Sequence, residues 1–511
     1  MFSRVYSATT LGVDAYVVEV EVDIASGMPS QTTVGLPDAA VKESRSRVWS
    51  AILNCDFSFP NERVTFNLAP ADTRKEGPSF DLPMALGVLG AQSSVDISSG
   101  NDLLFIGELA LDGTLRPVSG VLPIALMARD EPRFRGIVLP KENATEAALV
   151  DNVSIFPAGS LEEVILFLEG RKTIEPFPNT GFDLQEQPNT LDKDFSDVKG
   201  QEHAKRALEI ASAGNHNVIM IGPPGGGKTM LAKRLPTILP RLSREEALEV
   251  TKLYSINDML RAGQDIVRAR PFRAPHHTIS NVALIGGGSF PKPGEVSLSH
   301  HGVLFLDELT EFKRDVLEVL RQPLEDGTVT ISRASTTLTF PASFVLVAAM
   351  NPCPCGWYGD YVHPCSCNAT QIQRYMKKVS GPLLDRIDIH CEVPRLDPDK
   401  LTAAPTGESS ETIRARANEA RERQLRRYRN EPIFSNAELN ARMMREHCTM
   451  PAEAEDLLKN AIKKLGYTAR AYDRVRKLSR TIADLAGRDD IRIEDVAEAI
   501  TLRSLDKKYM V

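Results

Sequence analysis

The stretch that decides the fold reads Gly222-Pro223-Pro224-Gly225-Gly226-Gly227-Lys228-Thr229. An apolar run at residues 218–221 precedes it, and a helical pattern at residues 230–235 follows it. Glycines in such a loop let backbone N–H groups turn inward, and the positive end of the following helix adds to the attraction for phosphate. The lysine of this pattern reaches the β- and γ-phosphates, and its threonine hydroxyl ligates Mg²⁺. The stretch therefore predicts an ATP site with magnesium on a strand–loop–helix unit.

A second apolar run, residues 303–306, ends in two carboxylates, Asp307 and Glu308. In nucleotide hydrolases, one carboxylate holds the magnesium shell while a second group polarises the attacking water. The next strand-like run ends at Asn351, whose amide is suited to positioning that water. A strand-terminal turn before Pro352 is the alternative role for this asparagine. The sequence thus predicts hydrolysis of ATP rather than binding alone.

The composition is that of a folded protein with several domains. The chain has 511 residues, a net charge of −7, 42% hydrophobic residues and 25% charged residues. At about 100–200 residues per domain, this length predicts about three or four structural units. Charged residues interrupt every apolar run before the ~18 residues that a membrane helix needs, and the amino terminus lacks the apolar core of a secretory signal. We therefore expect a cytoplasmic protein with no membrane partner, in which any contact with nucleic acid comes from local basic patches.

Periodicity divides the chain into an α/β unit, a linker, a second α/β unit and a helical end. Residues 1–170 combine strand-like runs with an apolar helix at 82–89. Residues 171–194 lose periodicity and gather Pro, Asn and Gln, which is typical of a linker. Residues 195–395 alternate strands and helices in the order expected of a parallel sheet. Residues 396–511 begin with a second break and continue with a helical pattern.

Together these motifs resemble the AAA+ superfamily. Residues 195–201 resemble the segment before its P-loop that packs against adenine. Residues 305–308 resemble its Walker B strand, and Asn351 resembles sensor 1. The resemblance implies an α/β P-loop core in which residues 222–229 and Asp307 bind ATP and Mg²⁺.

Two arginines lie in motifs similar to those of magnesium-chelatase ATPase subunits. The sequence Gly-Pro-Leu-Leu-Asp-Arg-Ile-Asp at 381–388 is similar to an element whose arginine, here Arg386, acts across a subunit boundary on the neighbour's γ-phosphate. The element that contains Arg470 is similar to sensor 2. Both guanidinium groups are planar, permanently charged anion binders, and a structural salt bridge is the alternative for each. A finger role for Arg386 implies a ring, because one subunit cannot complete its own site.

Residues 1–170 carry a second resemblance, to the Lon-type protease fold. Residues 75–79 and the apolar helix after them are similar to the segment that presents the nucleophilic serine of Lon, here Ser79. Residues 107–122 are similar to the strand pair that leads to its catalytic lysine, but the matching position is Leu122. A serine hydroxyl needs an adjacent base to become nucleophilic, and leucine cannot supply one. The resemblance therefore implies a protease-shaped domain that is catalytically inactive.

A Lon-like domain, a chelatase-like AAA+ core and a carboxy-terminal helical domain together resemble the ComM/YifB family. The resemblance covers essentially the whole chain and is most specific at residues 270–277 and 351–356. It implies a hexameric DNA helicase that drives branch migration on single-stranded or branched DNA while transforming DNA is integrated by homologous recombination. The alternatives are a metal-insertion ATPase like magnesium chelatase, an ATP-dependent protease and a protein-remodelling ATPase. The Lon-like domain argues against the first of these, and Leu122 argues against the second.

Three stretches are candidates for contact with DNA. Residues 324–340 predict a β-hairpin with Arg333 near its tip, at the place where relatives insert a hairpin into the central pore of the ring. Its arginine and hydroxyl groups suit sequence-independent phosphate contact, and a solvated sheet edge is the alternative. Residues 268–277 are a second candidate pore loop. Residues 414–429 hold seven arginines against two glutamates, a pattern that favours a solvated helix over a DNA-binding face.

The cysteines are unevenly distributed. The chain has seven, and four of them cluster at Cys353, Cys355, Cys365 and Cys367. Such a set predicts a tetrahedral thiolate site for a structural Zn²⁺ in the loop after the sensor-1 strand, with His363 as a spare ligand. The Cys-x-Cys spacing is less specific than Cys-x-x-Cys, and four unpaired thiols in a reducing cytosol are the alternative.

Overall fold

The protein is described by a computed structural model of the full chain. The structure describes residues 1–179, 193–260, 266–288, 291–332, 337–396, 407–466 and 468–503. Packing divides the chain into two compact units. The first unit consists of Met1–Gln185 and Ala247–Val267, and the second of Glu186–Glu246 and Arg268–Val511.

The first unit includes a segment that lies far along the sequence. Residues 247–267 fall inside the second α/β unit in the sequence-based division, whereas packing assigns them to the first unit. Inside that unit the Ser255 hydroxyl donates to the buried Glu146 carboxylate at 2.5 Å. The Thr251 hydroxyl accepts a hydrogen bond from the backbone N–H of Val267 at 3.0 Å. These bonds fix the inserted segment, and no local sequence pattern marks them.

The first unit contains two main sheets. Its described strands are β1 (Phe2–Leu11), β2 (Asp14–Ala25), β3 (Ser30–Val34), β4 (Arg63–Ala69), β5 (Leu103–Phe105), β6 (Glu108–Leu109), β7 (Leu115–Arg116), β8 (Gly136–Pro140) and β9 (Ser154–Ala158). Strands β1–β4 form a mixed sheet in the order β1-β2-β4-β3, and β5-β8-β9 form a parallel sheet. Strand β2 alternates as predicted, with Val18, Val20 and Val22 on its buried face.

Helices cover these sheets with apolar side chains. The described helices within residues 1–179 are α1 (Ala39–Asn54), α2 (Asp81–Ala91), α3 (Val121–Asp130), α4 (Ala144–Ala147) and α5 (Leu161–Leu168). The predicted apolar helix at residues 82–89 is confirmed as α2, which is buried over nearly its whole length. Its Leu82, Met84 and Leu86 belong to the same hydrophobic cluster as the inner faces of β2 and β4.

A five-stranded parallel sheet forms the centre of the second unit. The described strands of this unit are β10 (Val218–Ile221), β11 (Phe272–Arg273), β12 (Gly286–Gly287), β13 (Lys292–Pro293), β14 (Val303–Leu306), β15 (Thr328–Ser332), β16 (Thr337–Pro341), β17 (Val345–Met350) and β18 (Ile389–Glu392). The sheet order is β11-β14-β17-β10-β18. Strand β17 therefore lies between the strand that leads into residues 222–229 and the strand that leads into Asp307. Because all three strands are parallel, the polar residues that follow them meet at one edge of the sheet.

Helices in the second unit share one hydrophobic core. The described helices from residue 193 onward are α6 (Glu202–Gly214), α7 (Lys228–Ala232), α8 (Leu235–Ile238), α9 (Arg244–Ile256, which crosses into the first unit), α10 (Asn281–Ile285), α11 (Glu295–Leu298), α12 (Arg314–Glu318), α13 (Arg321–Asp326), α14 (Ala369–Met376), α15 (Gly381–Leu384), α16 (Ser410–Arg427), α17 (Ala441–His447), α18 (Ala452–Leu465), α19 (Ala469–Leu485) and α20 (Ile493–Thr501). Ile413 of α16 and Val475 of α19 belong to the same buried cluster as Leu208 of α6 and Val218 of β10. The helical end of the chain therefore packs on the core that carries the sheet.

The predicted hairpin at residues 324–340 is confirmed in part. Strands β15 and β16 pair antiparallel, from Thr328 opposite Pro341 to Ser332 opposite Thr337. The hairpin starts later than predicted, because Glu325 and its neighbours form the last turn of helix α13. Arg333, the predicted contact near the tip, lies outside the described residues.

The second candidate pore loop, residues 268–277, contains one short strand, and its role as a pore loop stays a prediction. Its Phe272 and Arg273 form β11 at the edge of the parallel sheet. Arg270 forms a buried ion pair with Glu246 at 2.9 Å, and Arg273 pairs with Glu295 at 2.6 Å. Arg270 and Arg273 therefore bind carboxylates of their own chain.

Residues 414–427 of the arginine-rich stretch lie in helix α16. Arg416 pairs with Glu209 at 2.6 Å, and Arg427 pairs with the buried Asp484 at 2.5 Å. Several of these arginines therefore tie α16 to its neighbours.

None of the helices in the described parts of the chain is long and apolar enough to cross a membrane.

Candidate active site

The phosphate-binding loop at residues 222–229 has the backbone that its glycines allow. Gly225 and Gly227 adopt φ angles of 76° and 94°, a region that side chains other than glycine rarely occupy. Space is open where a Cβ would stand at Gly225, so this side of the loop accepts a ligand. Helix α7 begins directly after Gly227, which aims its amino-terminal N–H groups at the loop.

Lys228 is buried in this loop, and no carboxylate of the described residues pairs with it. Its Nζ donates to the carbonyl oxygens of Gly222 at 2.7 Å and Pro223 at 2.9 Å, and to Oδ1 of Asn351 at 3.2 Å. Burial lowers the pKa of Lys228 to about 8, and the nearby charge of Asp307 only partly offsets that effect. A buried ammonium group on neutral oxygens fits an anionic ligand, because a phosphate would supply the missing negative charge.

Thr229 and Asp307 meet beside the loop. The threonine Oγ1 donates to Oδ2 of Asp307 at 2.7 Å, and Oδ1 accepts from the backbone N–H of Glu308 at 3.0 Å. A hydroxyl and a carboxylate are oxygen donors of the type that Mg²⁺ takes when it also binds substrate phosphates. The donor set therefore fits a magnesium ion carried in with ATP, held by Thr229 and Asp307.

Glu308 is held in a strained backbone conformation at the edge of the site. Its φ of 52° lies in the left-handed region, which costs a residue other than glycine about 1–3 kcal/mol. The side chain is 62% exposed, and its Oε2 lies 3.8 Å from Nδ1 of His277. His277 was predicted as part of a pore loop and was therefore not expected beside this carboxylate. The sequence did contain a signal for His277, since this residue lies in residues 270–277, one of the two stretches most specific to the family.

A cavity of about 1010 Å³ opens over these residues. It is lined by Lys228, Thr229, Asp307, Glu308 and Asn351, so the structure brings these predicted side chains together. Four cations that the sequence analysis did not single out also line it: Arg314, Arg374, Lys377 and Lys378. Their positive charge suits a triphosphate, and three of them lie in or just after α14.

The segment at residues 195–201 lies against the loop. Gln201 Nε2 donates to the carbonyl oxygens of Gly226 at 3.0 Å and Pro394 at 2.6 Å. Phe195 is fully buried in the core of the second unit. This segment therefore braces the backbone of the phosphate loop through Gln201.

Arg386 and Arg470 converge on one carboxylate. Oε1 of Glu325 lies 2.6 Å from Nη2 of Arg386 and 3.1 Å from Nη2 of Arg470. Neither arginine occurs among the described residues that line the cavity. Within the described chain, Nε of Arg386 is buried and has no hydrogen-bond partner. Glu325 was not predicted from the sequence, since nothing local marks a glutamate as the partner of arginines that lie more than 60 positions away.

The four clustered cysteines are also brought together. Their sulfur atoms all lie within 4.8 Å of one another. His363, the predicted spare ligand, is absent from this group; its ring lies against that of Trp357, with centroids 4.4 Å apart.

The Lon-like positions lie in the first unit. Nζ of the buried Lys75 donates to the backbone carbonyl oxygens of Pro70 and Thr73. Ser79 lies in a short 3₁₀ turn before α2, and Leu122 is fully buried in the first turn of α3. Lys75 is thus committed to main-chain oxygens, and the matching position Leu122 offers no base.

The parallel sheet order, the phosphate loop and the convergent residues at one sheet edge define a P-loop protein of the AAA+ class. Comparison with known proteins sharpens this assignment. Residues 194–401 match the family described as magnesium chelatase, subunit ChlI. Residues 20–143 match subunit ChlI of Mg-chelatase, and residues 407–503 match the carboxy-terminal part of ChlI.

Full-length relatives then place the chain in one family. Competence protein ComM of Haemophilus influenzae is 44% identical over 508 residues, covering 98% of this chain and 97% of the relative. The YifB protein of Escherichia coli is 43% identical over 509 residues, covering 99% of this chain and 97% of the relative. The magnesium-chelatase subunit ChlI of Cyanophora paradoxa is 21% identical and covers 60% of this chain. The chain belongs to the ComM/YifB family of magnesium-chelatase-like AAA+ proteins, for which ATP and Mg²⁺ are the implied ligands.

Proposed function

We propose that this chain hydrolyses ATP with the residues that meet at the carboxyl edge of the sheet. Lys228 and the N–H groups of residues 222–229 bind and orient the phosphates, while Thr229 and Asp307 hold Mg²⁺, which neutralises charge as it develops on the phosphates. Glu308 polarises a water molecule for attack, and Asn351 positions that water. The observation in favour is the common cavity that all of these side chains line.

We further propose that Arg386 and Arg470 act on a nucleotide at a subunit boundary. The two guanidinium groups lie together on Glu325 at 2.6 and 3.1 Å, away from the cavity of their own chain. An arginine that stabilises the γ-phosphate from a neighbouring subunit is a recurring device in nucleotide hydrolases. Such a head-to-tail contact closes into a ring, and the family resemblance implies six subunits.

Glu325 gives these arginines a physical connection to the β15–β16 hairpin. It lies in the last turn of α13, and Gly327 links that helix to β15 with a φ of 64°. A nucleotide that attracts Arg386 would compete with Glu325 for it, because a phosphate binds the same guanidinium fork. The binding state of a neighbouring site would thus change the contacts at the root of the hairpin.

The hairpin itself has one apolar and one hydroxyl face. Leu338 and Phe340 are buried, whereas Thr330 and Thr339 are exposed and their hydroxyl groups lie 3.3 Å apart. Hydroxyl groups contact the sugar–phosphate backbone of DNA without reading its sequence. A hairpin of this kind in the pore of a ring would suit a motor that moves along any DNA.

We infer that the hydrolysis of ATP drives this motor along single-stranded or branched DNA, and that it acts as a helicase in branch migration. The relative from Haemophilus influenzae is named a competence protein, which favours a role in integrating transforming DNA by homologous recombination. Residues 1–170 would then serve as an inactive, protease-shaped domain. Metal insertion, the first alternative, is favoured by the description of the matching family as magnesium chelatase and by the similarity to a ChlI subunit. Remodelling of protein partners remains the other alternative.

The direct test compares ATP turnover with and without DNA. We expect single-stranded or branched DNA to stimulate turnover by the parent protein. Replacing Thr330 and Thr339 together by Glu places negative charge on the hydroxyl face, which should weaken DNA binding on the order of tenfold at fixed salt. Basal turnover without DNA should be unchanged, since neither threonine lines the cavity.

The matched control replaces Thr501, an exposed threonine of α20, by Glu. It should bind DNA like the parent in a fluorescence anisotropy titration. If DNA neither stimulates turnover nor binds, the helicase proposal is wrong. Stimulation by a porphyrin with Mg²⁺, or by a protein substrate instead of DNA, would support the corresponding alternative.

A further inference from the structure

The sulfur atoms of Cys353, Cys355 and Cys365 form a tight triangle. The three separations are 3.3 Å between Cys353 and Cys355, 3.7 Å between Cys353 and Cys365, and 3.5 Å between Cys355 and Cys365. Cys367 completes the group, with all four sulfurs within 4.8 Å of one another. A tetrahedral zinc ion with Zn–S bonds of about 2.3 Å requires sulfurs about 3.8 Å apart. The four cysteines therefore need only small movements to enclose a zinc ion.

Two turns of the backbone produce this arrangement. The backbone N–H of Gly356 donates to the carbonyl oxygen of Cys353 at 3.0 Å, and the φ of Gly356 is 84°. Gly356 closes the first turn in this left-handed conformation, and the sulfur atoms of Cys353 and Cys355 then face the same point. In the second turn, the backbone N–H of Cys367 donates to the sulfur of Cys365 at 3.4 Å. Such N–H···S bonds orient thiolate ligands in metal sites.

Neither of two competing arrangements accounts for the cluster. A disulfide requires sulfurs about 2.05 Å apart, and the sulfurs of Cys353, Cys355 and Cys365 are separated by at least 3.3 Å. A set of three cysteines and one histidine requires His363, whose ring instead lies against Trp357. Thiols are weak hydrogen-bond donors, so grouping four of them gains little unless a cation binds them.

We propose that Cys353, Cys355, Cys365 and Cys367 bind one Zn²⁺ ion as a closed, structural site. Binding releases four thiol protons to solvent, because each sulfur coordinates as a thiolate. A closed tetrahedron leaves no open position for water or substrate, so this metal stabilises structure and takes no part in chemistry.

The position of the cluster gives this metal a specific task at the nucleotide cavity. Cys353 follows Asn351 by two residues, and Pro354 lines the cavity. A Cβ added at Gly356 would lie 2.7 Å from the Pro224 ring of the phosphate loop. The first turn therefore lies directly against the loop at residues 222–229, which we propose binds phosphate.

The second turn leads directly into helix α14, which also lines the cavity. Cys367 precedes Asn368, whose Oδ1 accepts from the backbone N–H of Gln371 at 2.8 Å and so caps α14. Arg374 and Tyr375 of that helix line the cavity. A zinc ion would thus hold the Asn351 segment and α14 at a fixed separation. The proposed metal site rests only on the positions of the four sulfur atoms. The proposal that the metal fixes the separation of these two segments rests, in addition, on the proposed ATP site.

Metal analysis of the full-length protein tests the site. We expect one equivalent of zinc per parent chain, and affinity more than about 100-fold weaker in Cys365→Ser and in Cys367→Ser. The control is Cys55→Ser, which removes a half-buried thiol outside the cluster and should retain zinc. After removal of zinc under reducing conditions, Co²⁺ added to the parent should produce the intense visible bands of a tetrahedral thiolate complex. This second measurement needs no variant and so does not depend on variant folding.

The site is wrong if the freshly purified parent contains no zinc and the reduced protein shows no Co²⁺–thiolate bands. The positioning task has its own outcome. Removing zinc from the parent should lower ATP turnover on the order of 100-fold, as a shift of about 1 Å does in a catalytic site. Readdition of zinc should restore it. Unchanged turnover by zinc-free protein would overturn the positioning task while leaving the metal site intact.

Discussion

Lys228 is a buried cation whose hydrogen bonds to the described residues are all to neutral oxygen atoms. At the residue scale we therefore expect Lys228→Ala to weaken ATP binding by more than about 100-fold, because charge-assisted bonds to phosphate are the strong contacts of such a loop. Fluorescent-nucleotide titration measures the effect. Lys233→Ala, an exposed lysine just after the same helix, is the control and should bind like the parent. Near-parent affinity of Lys228→Ala would contradict the assignment of this loop.

The residues that the sequence predicted are those whose signal is local. Lys228, Thr229 and Asp307 sit in short patterns that describe both the chemistry and the strand that carries it. Glu325 and His277 were missed because their roles depend on partners brought close by the fold. The sequence shows that Glu325 has a carboxylate, but only the fold shows that this carboxylate contacts Arg386 and Arg470.

The buried Asp388, directly before strand β18, forms an ion pair with Arg474 of helix α19. Burial alone would raise the pKa of Asp388, but Arg474, His216 and the N–H of Asn217 outweigh it and hold that pKa well below its usual range. At the element scale, Arg474→Ala leaves this carboxylate buried and poorly compensated. We expect a loss of about 3–5 kcal/mol in the free energy of unfolding, seen as a lower Tm. Arg470→Ala, on an exposed position of the same helix, should change Tm little.

The pH dependence of this effect has a definite sign. A carboxyl group with a depressed pKa in the folded state stabilises the fold above its unfolded pKa of about 3.9, and that contribution is lost as the pH falls. The difference in Tm between the parent and Arg474→Ala should therefore be full at pH 7 and shrink below about pH 4. A difference that stays constant or grows on acidification would show that Asp388 is not the group responsible.

Secondary-structure elements were predicted well where the hydrophobic periodicity and the length of the apolar run indicated the same element. Strands β2, β10, β14 and β17 were recognisable because apolar alternation or short apolar runs end in polar residues. The start of the hairpin was misplaced, because Glu325 and its neighbours suit either a helix end or a strand. Residues 247–267 were predicted to belong to the second α/β unit, whereas packing assigns them to the first unit. A helical pattern in the sequence does not show to which unit the helix belongs.

At the scale of the whole molecule, the proposed role of Arg386 at a subunit boundary needs a second chain to complete each site. We expect Arg386→Ala to bind ATP like the parent but to hydrolyse it on the order of 10³-fold more slowly. Arg426→Ala, an exposed arginine of α16, is the control and should turn over normally.

Mixing inactive variants separates a shared site from a site within one chain. Equal amounts of Lys228→Ala and Arg386→Ala subunits should restore turnover at about a quarter of the interfaces in a randomly mixed ring. Each variant alone should stay inactive. If mixed oligomers form and no turnover returns, the boundary site is wrong.

The proposed motor is tested most directly by a synthetic four-way DNA junction incubated with the parent protein, ATP and Mg²⁺. We predict that the parent converts the junction into two forked duplexes. Glu308→Gln should bind both ATP and junction and convert none, because it lacks the carboxylate that polarises water. A parent protein that hydrolyses ATP in the presence of the junction and leaves it intact would contradict the proposed function.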